Sequence, residues 1–216
     1  LPDLVQVAKD CEEFGAQGIT VHPRPDQRHI RYDDIPQLKA VVKTEFNIEG
    51  NPTFDFMALV FENKPHQATL VPDSPGQLSS DHGWDTLADA AFLKEVVSEL
   101  KGAGIRVSLF VDPVERFVEG AKAVGADRVE FYTGEFSQEF SKNKEKAVQA
   151  HRLCAILANQ IGIGINAGHD LNLENLRFYK ENVPGLLEVS IGHALISDSL
   201  YYGLGNTIQM YLRQLR

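Results

Sequence analysis

Five of the seven histidines stand at or just after the ends of short apolar runs: His22, His29, His82, His169 and His193. Glu49 closes another such run, Glu130 lies inside one, and Arg24 follows His22 by two residues. Imidazoles with a pKa near ~6.5, together with a carboxylate raised by burial, are the usual means of moving protons at neutral pH. Glu49 on a buried rim would be such a base, and Arg24 offers a planar fork suited to phosphate or carboxylate. The run from Ser190 through Gly192 and His193 to Ile196 reads as strand end, glycine and helix start, a place where backbone N–H groups hold phosphate. Asn166-Ala167-Gly168-His169 would sit beside it. Plainer readings stand next to these. A single strand-end histidine serves as a hydrogen-bonded structural residue, Glu49 as the partner of an arginine, Arg24 as half of a surface ion pair, and Gly192 as a tight turn. An inward Glu130 would need a cationic partner or a proton, whereas an outward one would be unremarkable. Several histidines on one rim favour a functional site, because buried polar groups cost free energy unless partnered.

The elements that must position these residues alternate. Apolar periodicity predicts strands over 18–22, 46–49, 68–72, 106–111, 128–133, 163–167 and 187–191. Helices are predicted over 2–14, 33–44, 53–63, 87–101, 113–124, 143–161, 171–181 and from about 194, the last interrupted near Gly203 and Gly205. Pro2 and Asp3 suit a helix start. The segments 73–86 and 134–142 read as polar loops and as candidate lids, though plain solvent loops have the same composition. Strands that are apolar throughout and separated by helices imply a parallel sheet covered on its faces. Seven strands and eight helices, opening on a helix, predict a (β/α)8 TIM barrel whose first strand is absent from the N-terminus of this chain. The start at Leu1, without methionine, agrees with that expectation. A doubly wound open sheet is the rival, but G-x-G-x-x-G is not found. In a barrel the chemistry sits where strands end, which is where these residues fall.

The chain has 216 residues, 43% hydrophobic and 24% charged, which fits one barrel domain over 1–216. A net charge of −9 argues against nucleic acid and against a polybasic membrane contact, but leaves small phosphorylated ligands open. Two cysteines, Cys11 and Cys154, outside any Cys-x-x-Cys pair, fit a reducing cytoplasm with both as buried apolar groups. No apolar run of about 18 residues and no signal peptide are seen. No lysine closes a predicted strand, which counts against a Schiff-base aldolase. His-x-His, H-E-x-x-H and G-x-S-x-G are missing, which counts against zinc and serine hydrolases.

The block from Gly18 to Ile30, with His22, Arg24 and His29, resembles the signature of the pyridoxine 5′-phosphate synthase family. So do Asn47-Ile48-Glu49, Leu70-Val71-Pro72, Val107 to Phe110, Asn166 to His169, and Ile191 to Ala194, in order along nearly the whole chain. The resemblance implies a (β/α)8 barrel, assembled as a homo-octamer, that uses no metal or organic cofactor. It condenses 3-amino-2-oxopropyl phosphate with 1-deoxy-D-xylulose 5-phosphate to pyridoxine 5′-phosphate, inorganic phosphate and water. Imine formation and phosphate loss precede ring closure. Carried over by position, His22 and Glu49 resemble the general bases, His169 the proton donor, and Glu130 the carboxylate that stabilises a cationic transition state. Arg24, His29 and Ser79 match contacts to deoxyxylulose phosphate, with Ser79 standing where the family often has threonine. Asp170, Gly192 and His193 match contacts to the aminoketone phosphate, largely through backbone N–H groups; position 170 is glycine in some members. The family's first strand carries an Asn, an Asp-His-like pair and an Arg that bind both substrates, and none of these lies in the 216 residues. The readings left beside the synthase are another cofactor-free sugar-phosphate isomerase-type barrel and a catalytically dead phosphate-binding barrel.

Overall fold

The computed structural model describes residues 3–74, 76–77 and 79–216. Its first half runs α1 (Leu4–Glu13), β1 (Gly18–Val21), α2 (Asp34–Val41), β2 (Glu45–Gly50), α3 (Phe54–Asn63), β3 (Gln67–Leu70), α4 (Ala90–Gly102) and β4 (Arg106–Val111). The second half runs α5 (Glu115–Ala123), β5 (Arg128–Tyr132), α6 (Gly134–Phe140), α7 (Lys144–Ile161), β6 (Gly164–Gly168), α8 (Leu176–Asn182), β7 (Leu186–Ser190), α9 (His193–Tyr202) and α10 (Leu204–Gln214). All six strand pairings are parallel and follow chain order, so the sheet curls into a nearly closed TIM-like barrel whose edges are β1 and β7.

Side chains alternate across each strand. One set, including Phe46, Ile48, Ala68, Leu70, Val107, Leu109, Val129, Phe131, Ile165 and Ala167, is buried in the apolar cluster beneath the helices. The other set lines the barrel interior and is polar, which corrects the expectation of strands apolar throughout. Glu45, Asn47 and Glu49 alternate along β2, Gln67 and Thr69 along β3, Arg106 and Ser108 along β4, and Arg128 and Glu130 along β5. These groups bond across strands. Thr69 donates to Asn47 at 3.2 Å, Arg106 Nε to Gln67 at 2.9 Å, and Arg128 Nη1 to Glu188 at 2.7 Å and Asn166 at 3.1 Å. Arg106 also pairs with Glu45. A barrel interior is ordinarily filled by branched apolar layers; here charge-assisted bonds take that place.

Helix ends follow local chemistry. Asp3, Thr53 and Asn143 each accept a backbone N–H two or three residues into α1, α3 and α7. Gly203, at φ 77°, separates α9 from α10 at the predicted interruption. Pro2 lies outside the described residues, as do positions 75 and 78 of the candidate lid 73–86. Among the described residues ten helices form rather than eight. The extra one within the second half, α6, occupies the segment read as a polar loop. Its Phe136 and Phe140, one turn apart, pack on Tyr179 and Phe178 at 4.9 and 5.6 Å between ring centroids. Helix α8 begins five residues later than predicted, because the Asn172 side chain accepts the N–H groups of Glu174 and Asn175 and holds a turn there. Helix α4 begins at Ala90 rather than 87, since the Asp85 carboxylate caps the N–H groups of Leu87 and Ala88. Cys154 is buried as expected, but Cys11 is only half-buried.

Candidate active site

His22 is the first residue past β1, and Glu49 lies one residue before the end of β2; the pairing of Val21 with Ile48 brings them side by side. His22 Nδ1 is 3.9 Å from Glu49 Oε2, and its Nε2 is 3.8 Å from Asp73 Oδ2. Burial and the Arg24 charge push His22 down to about 4, against the pull of Asp73, so the ring is neutral at physiological pH. Burial, then the charges of Glu188 and Asp73, push Glu49 up to about 7 despite Arg24. A neutral imidazole beside a carboxylate that ionises near neutrality is a pair of proton acceptors. No arginine forms an ion pair with Glu49 in the contacts seen among the described residues, which counts against its plain reading, although the Arg24 charge does reach it.

Glu130 points into the barrel, with 3% of its surface exposed. Arg128, two residues away, bonds Glu188 and Asn166 instead, and Glu130 Oε2 has no hydrogen-bond partner among the described residues. Burial, reinforced by Glu49 and Glu188, holds its carboxyl well above the ordinary range and favours its protonated form. Gly168 gives it room: a Cβ there would overlap Glu130 Oε1 and push the carboxyl from its place.

His169 follows β6 at φ 88°, a left-handed conformation that a non-glycine residue adopts only under constraint. The constraint comes from α6 and α8. Thr133 Oγ1 donates to the Gly168 carbonyl at 2.5 Å, and Ser137 and Asn175 hold the Asp170 carbonyl at 3.1 and 3.3 Å. The imidazole stands edge-on to Tyr132, at 5.5 Å between centroids, and Tyr132 meets Phe110 at 5.6 Å. His169 Nδ1 lies 3.1 Å from Asp170 Oδ2, out of line for a hydrogen bond. These contacts fix the direction of the His169 ring at the end of β6. Ser137 and Asn175 use the Asp170 main chain, while the Asp170 carboxylate is exposed.

Arg24 is no surface ion pair. It is 13% exposed and donates from Nη1 to Asp73 at 2.7 Å, with Asp73 at 6%. Both line a cavity of about 320 Å³ with His22, Asn51 and Thr53. Gly192 caps α9 and His193 opens it, both exposed at the rim after β7. His29 is exposed at φ 67° and Ser79 is half-buried, its carbonyl held by Gln77 at 2.9 Å. Neither is brought onto His22, Glu49 or Arg24 by a hydrogen bond among the described residues. His82 pairs with Asp81 in solvent, at 2.6 Å. His66 and His151 are structural: His66 Nδ1 accepts the Phe46 N–H at 3.0 Å, and His151 is buried against the Tyr179 hydroxyl at 2.8 Å.

Sequence reasoning missed Asp73, Tyr132 and Glu188. The available signal for Glu188 and Tyr132 was the period-two alternation of polar and apolar residues inside the strands. Asp73 had no signal beyond its place just after β3.

Over residues 1–216 the chain matches the family model described as pyridoxal phosphate biosynthesis protein PdxJ. A pyridoxine 5′-phosphate synthase of Cytophaga hutchinsonii is 60% identical over 215 residues, covering 100% of this chain and 90% of that one. Another, of Flavobacterium johnsoniae, is 55% identical over 216 residues, covering 100% and 91%. Among solved structures, phosphoribosylanthranilate isomerase from Thermotoga maritima superposes with a TM-score of 0.64 at 14% identity, covering 98% of this chain and 93% of that one. The isomerase from Pyrococcus furiosus gives 0.65 at 12% identity, covering 97% and 92%. At such identities the likeness concerns the fold alone.

Proposed function

This chain belongs to the PdxJ pyridoxal phosphate biosynthesis family, and from that premise we propose that it condenses 3-amino-2-oxopropyl phosphate with 1-deoxy-D-xylulose 5-phosphate to pyridoxine 5′-phosphate. The observation that carries the mechanism is the pairing of neutral His22 with Glu49, 3.9 Å apart, the latter ionising at about 7. Imine formation, loss of phosphate and ring closure each require a proton to leave carbon or nitrogen and another to reach a departing oxygen. His22 and Glu49 take protons on one side. His169, held by its strained turn, donates on the other. Burial favours the proton on Glu130; a neutral imine formed beside it takes that proton on its nitrogen, which leaves a cationic iminium facing the Glu130 carboxylate. Buried, that charge then stabilises the cation far more than it would in water.

Arg24, with His29 and Ser79 on the neighbouring loops, receives the deoxyxylulose phosphate. The backbone of residues 168–170 and of Gly192 and His193, at the start of α9, receives the aminoketone phosphate. No helix among the described residues is long and apolar enough to cross a membrane. The family resemblance adds a cytoplasmic setting and a homo-octamer, for which exposed Phe54, Leu200 and Tyr201 supply apolar surface; light scattering of the full protein tests the octamer.

The experiment is to give the full chain both phosphates and follow pyridoxine 5′-phosphate by absorbance and mass. Product that forms only when both are present supports the reading. Consumption of one phosphate without the other overturns it in favour of a sugar-phosphate isomerase, and binding without turnover in favour of a phosphate-binding barrel.

A further inference from the structure

We propose that Asp73 is a positioning residue for the sugar-phosphate site: its carboxylate grips one edge of the Arg24 guanidinium and turns the remaining N–H groups toward the substrate anion. The proposal rests on the reading that Arg24 receives 1-deoxy-D-xylulose 5-phosphate.

The arrangement around Asp73 is built from several directions. Oδ2 accepts Arg24 Nη1 at 2.7 Å and the Ser80 hydroxyl at 2.8 Å. The Asp73 main-chain carbonyl accepts Asn51 Nδ2 at 2.8 Å, which ties the loop after β3 to the end of β2. His22 Nε2 stands 3.8 Å from the same Oδ2. One carboxylate oxygen therefore touches the anion-binding guanidinium and faces one of the two bases. All three side chains line the same cavity.

Stability does not explain the pair. Taking two charges out of water is costly, and mutual attraction offsets that cost only when the remaining hydrogen-bonding capacity is met. Here it is unmet, because Asp73 Oδ1 is buried without a partner among the described residues. Arg24, for its part, has five N–H donors and uses Nη1 alone in hydrogen bonds among the described residues. A guanidinium held at one edge keeps its other edge free and correctly turned for a phosphate, so the ordering of a long side chain is completed before substrate arrives.

The rival account makes Asp73 a competitor that neutralises Arg24 in the empty site. The two accounts differ in sign. Removing a competing negative charge strengthens anion binding; removing a positioning group weakens it. The experiment measures KM for each phosphate in the full chain carrying Asp73→Asn, Arg24→Ala, or both. Positioning predicts that Asp73→Asn raises KM for deoxyxylulose phosphate by about 10-fold or more, the scale of one charge-assisted hydrogen bond. KM for the aminoketone phosphate stays within about twofold. In the Arg24→Ala background Asp73→Asn has no further effect, because the group through which it acts is gone. Asp73→Glu, which keeps the charge, restores most of the loss. A lowered KM in Asp73→Asn overturns the proposal in favour of competition, and an equal loss in both backgrounds overturns it in favour of general damage to the fold. If Asp73→Asn does not fold, a crystal structure of the wild type with deoxyxylulose phosphate decides. Arg24 bridging Asp73 and the phosphate supports positioning, and Arg24 released from Asp73 overturns it. A wild-type chain that neither binds nor consumes the sugar phosphate overturns the reading of the site and this proposal with it, whereas wild-type turnover with unmoved KM in Asp73→Asn overturns this proposal alone.

Discussion

Glu49→Gln separates what the site needs from what the fold prefers. The carboxyl is raised from its usual 4.5 to about 7, chiefly by burial. A pKa raised in the folded state means that folding favours the protonated form. Glu49 therefore costs the fold nothing below its unfolded pKa, and the cost grows as pH rises through 7. The full difference, at ~1.36 kcal/mol for each pKa unit, is about 3 kcal/mol, and it is reached above about pH 8. Glutamine copies the shape of the protonated acid and never ionises. Glu49→Gln is then more stable than the wild type by about 1 kcal/mol at pH 5 and by about 3 kcal/mol at pH 8.5. For a chain of this size the Tm gains are roughly 2–4 °C and 6–12 °C. Turnover falls by ~10²–10⁴-fold, the scale of a lost general base. Thermal melts of both proteins across pH 5 to 8.5, beside product assays, read both effects. A Tm gain that is the same at both pH values, or that shrinks as pH rises, shows that Glu49 ionises freely and refutes the reasoning.

Other substitutions test the rest of the site. His169→Ala and His169→Gly both lose ~10²–10⁴-fold in turnover, but only the glycine variant gains Tm, because it alone relieves the positive φ of 88°; equal Tm values for the two variants would count against strain. Gly168→Ala forces Glu130 off its seat and destabilises by about 1–3 kcal/mol with loss of activity, read by denaturant melts and assay. Burial lowers His151 to about 4, so its contribution to stability is complete above about pH 6.5 and lost as pH falls toward 4. His151→Leu flattens that acid-side fall in Tm while lowering stability at pH 7, where the Tyr179 hydroxyl loses its partner.

The elements were legible because their signals are local. The positions of β1 to β7 follow from short β-branched runs, and the ends of α1, α3 and α7 from Asp3, Thr53 and Asn143, each of which bonds only to the turn beside it. The fold resisted sequence reading where structure depends on distant groups. Helix α6 has seven residues, too few to be stable alone, and it exists because Phe136 and Phe140 find Tyr179 and Phe178, about forty residues on along the chain. The same limit governs the site. His22, Glu49 and His169 are visible as residue types at strand ends, yet a strand end also displays His29, which here faces solvent. Their protonation states are not written in their own neighbourhoods. Burial is the largest cause for both carboxyls, and to it Glu188 and Asp73 add for Glu49, and Glu49 and Glu188 for Glu130, groups on β7, on the loop after β3 and on β2. Arg128, the cation nearest Glu130 in sequence, is committed to Glu188. Glu49, Glu130 and Glu188 thus share the interior with Arg128, engaged by Glu188, and Arg106, engaged by Glu45; among the described residues neither arginine pairs with Glu49 or Glu130, and both of those carboxyls are raised. On the proposed reading, that surplus suits the barrel to acid–base work: burial and the neighbouring carboxylates favour the proton on Glu130 and let Glu49 exchange one near neutrality, an arrangement that the apolar layers usual for this architecture do not supply.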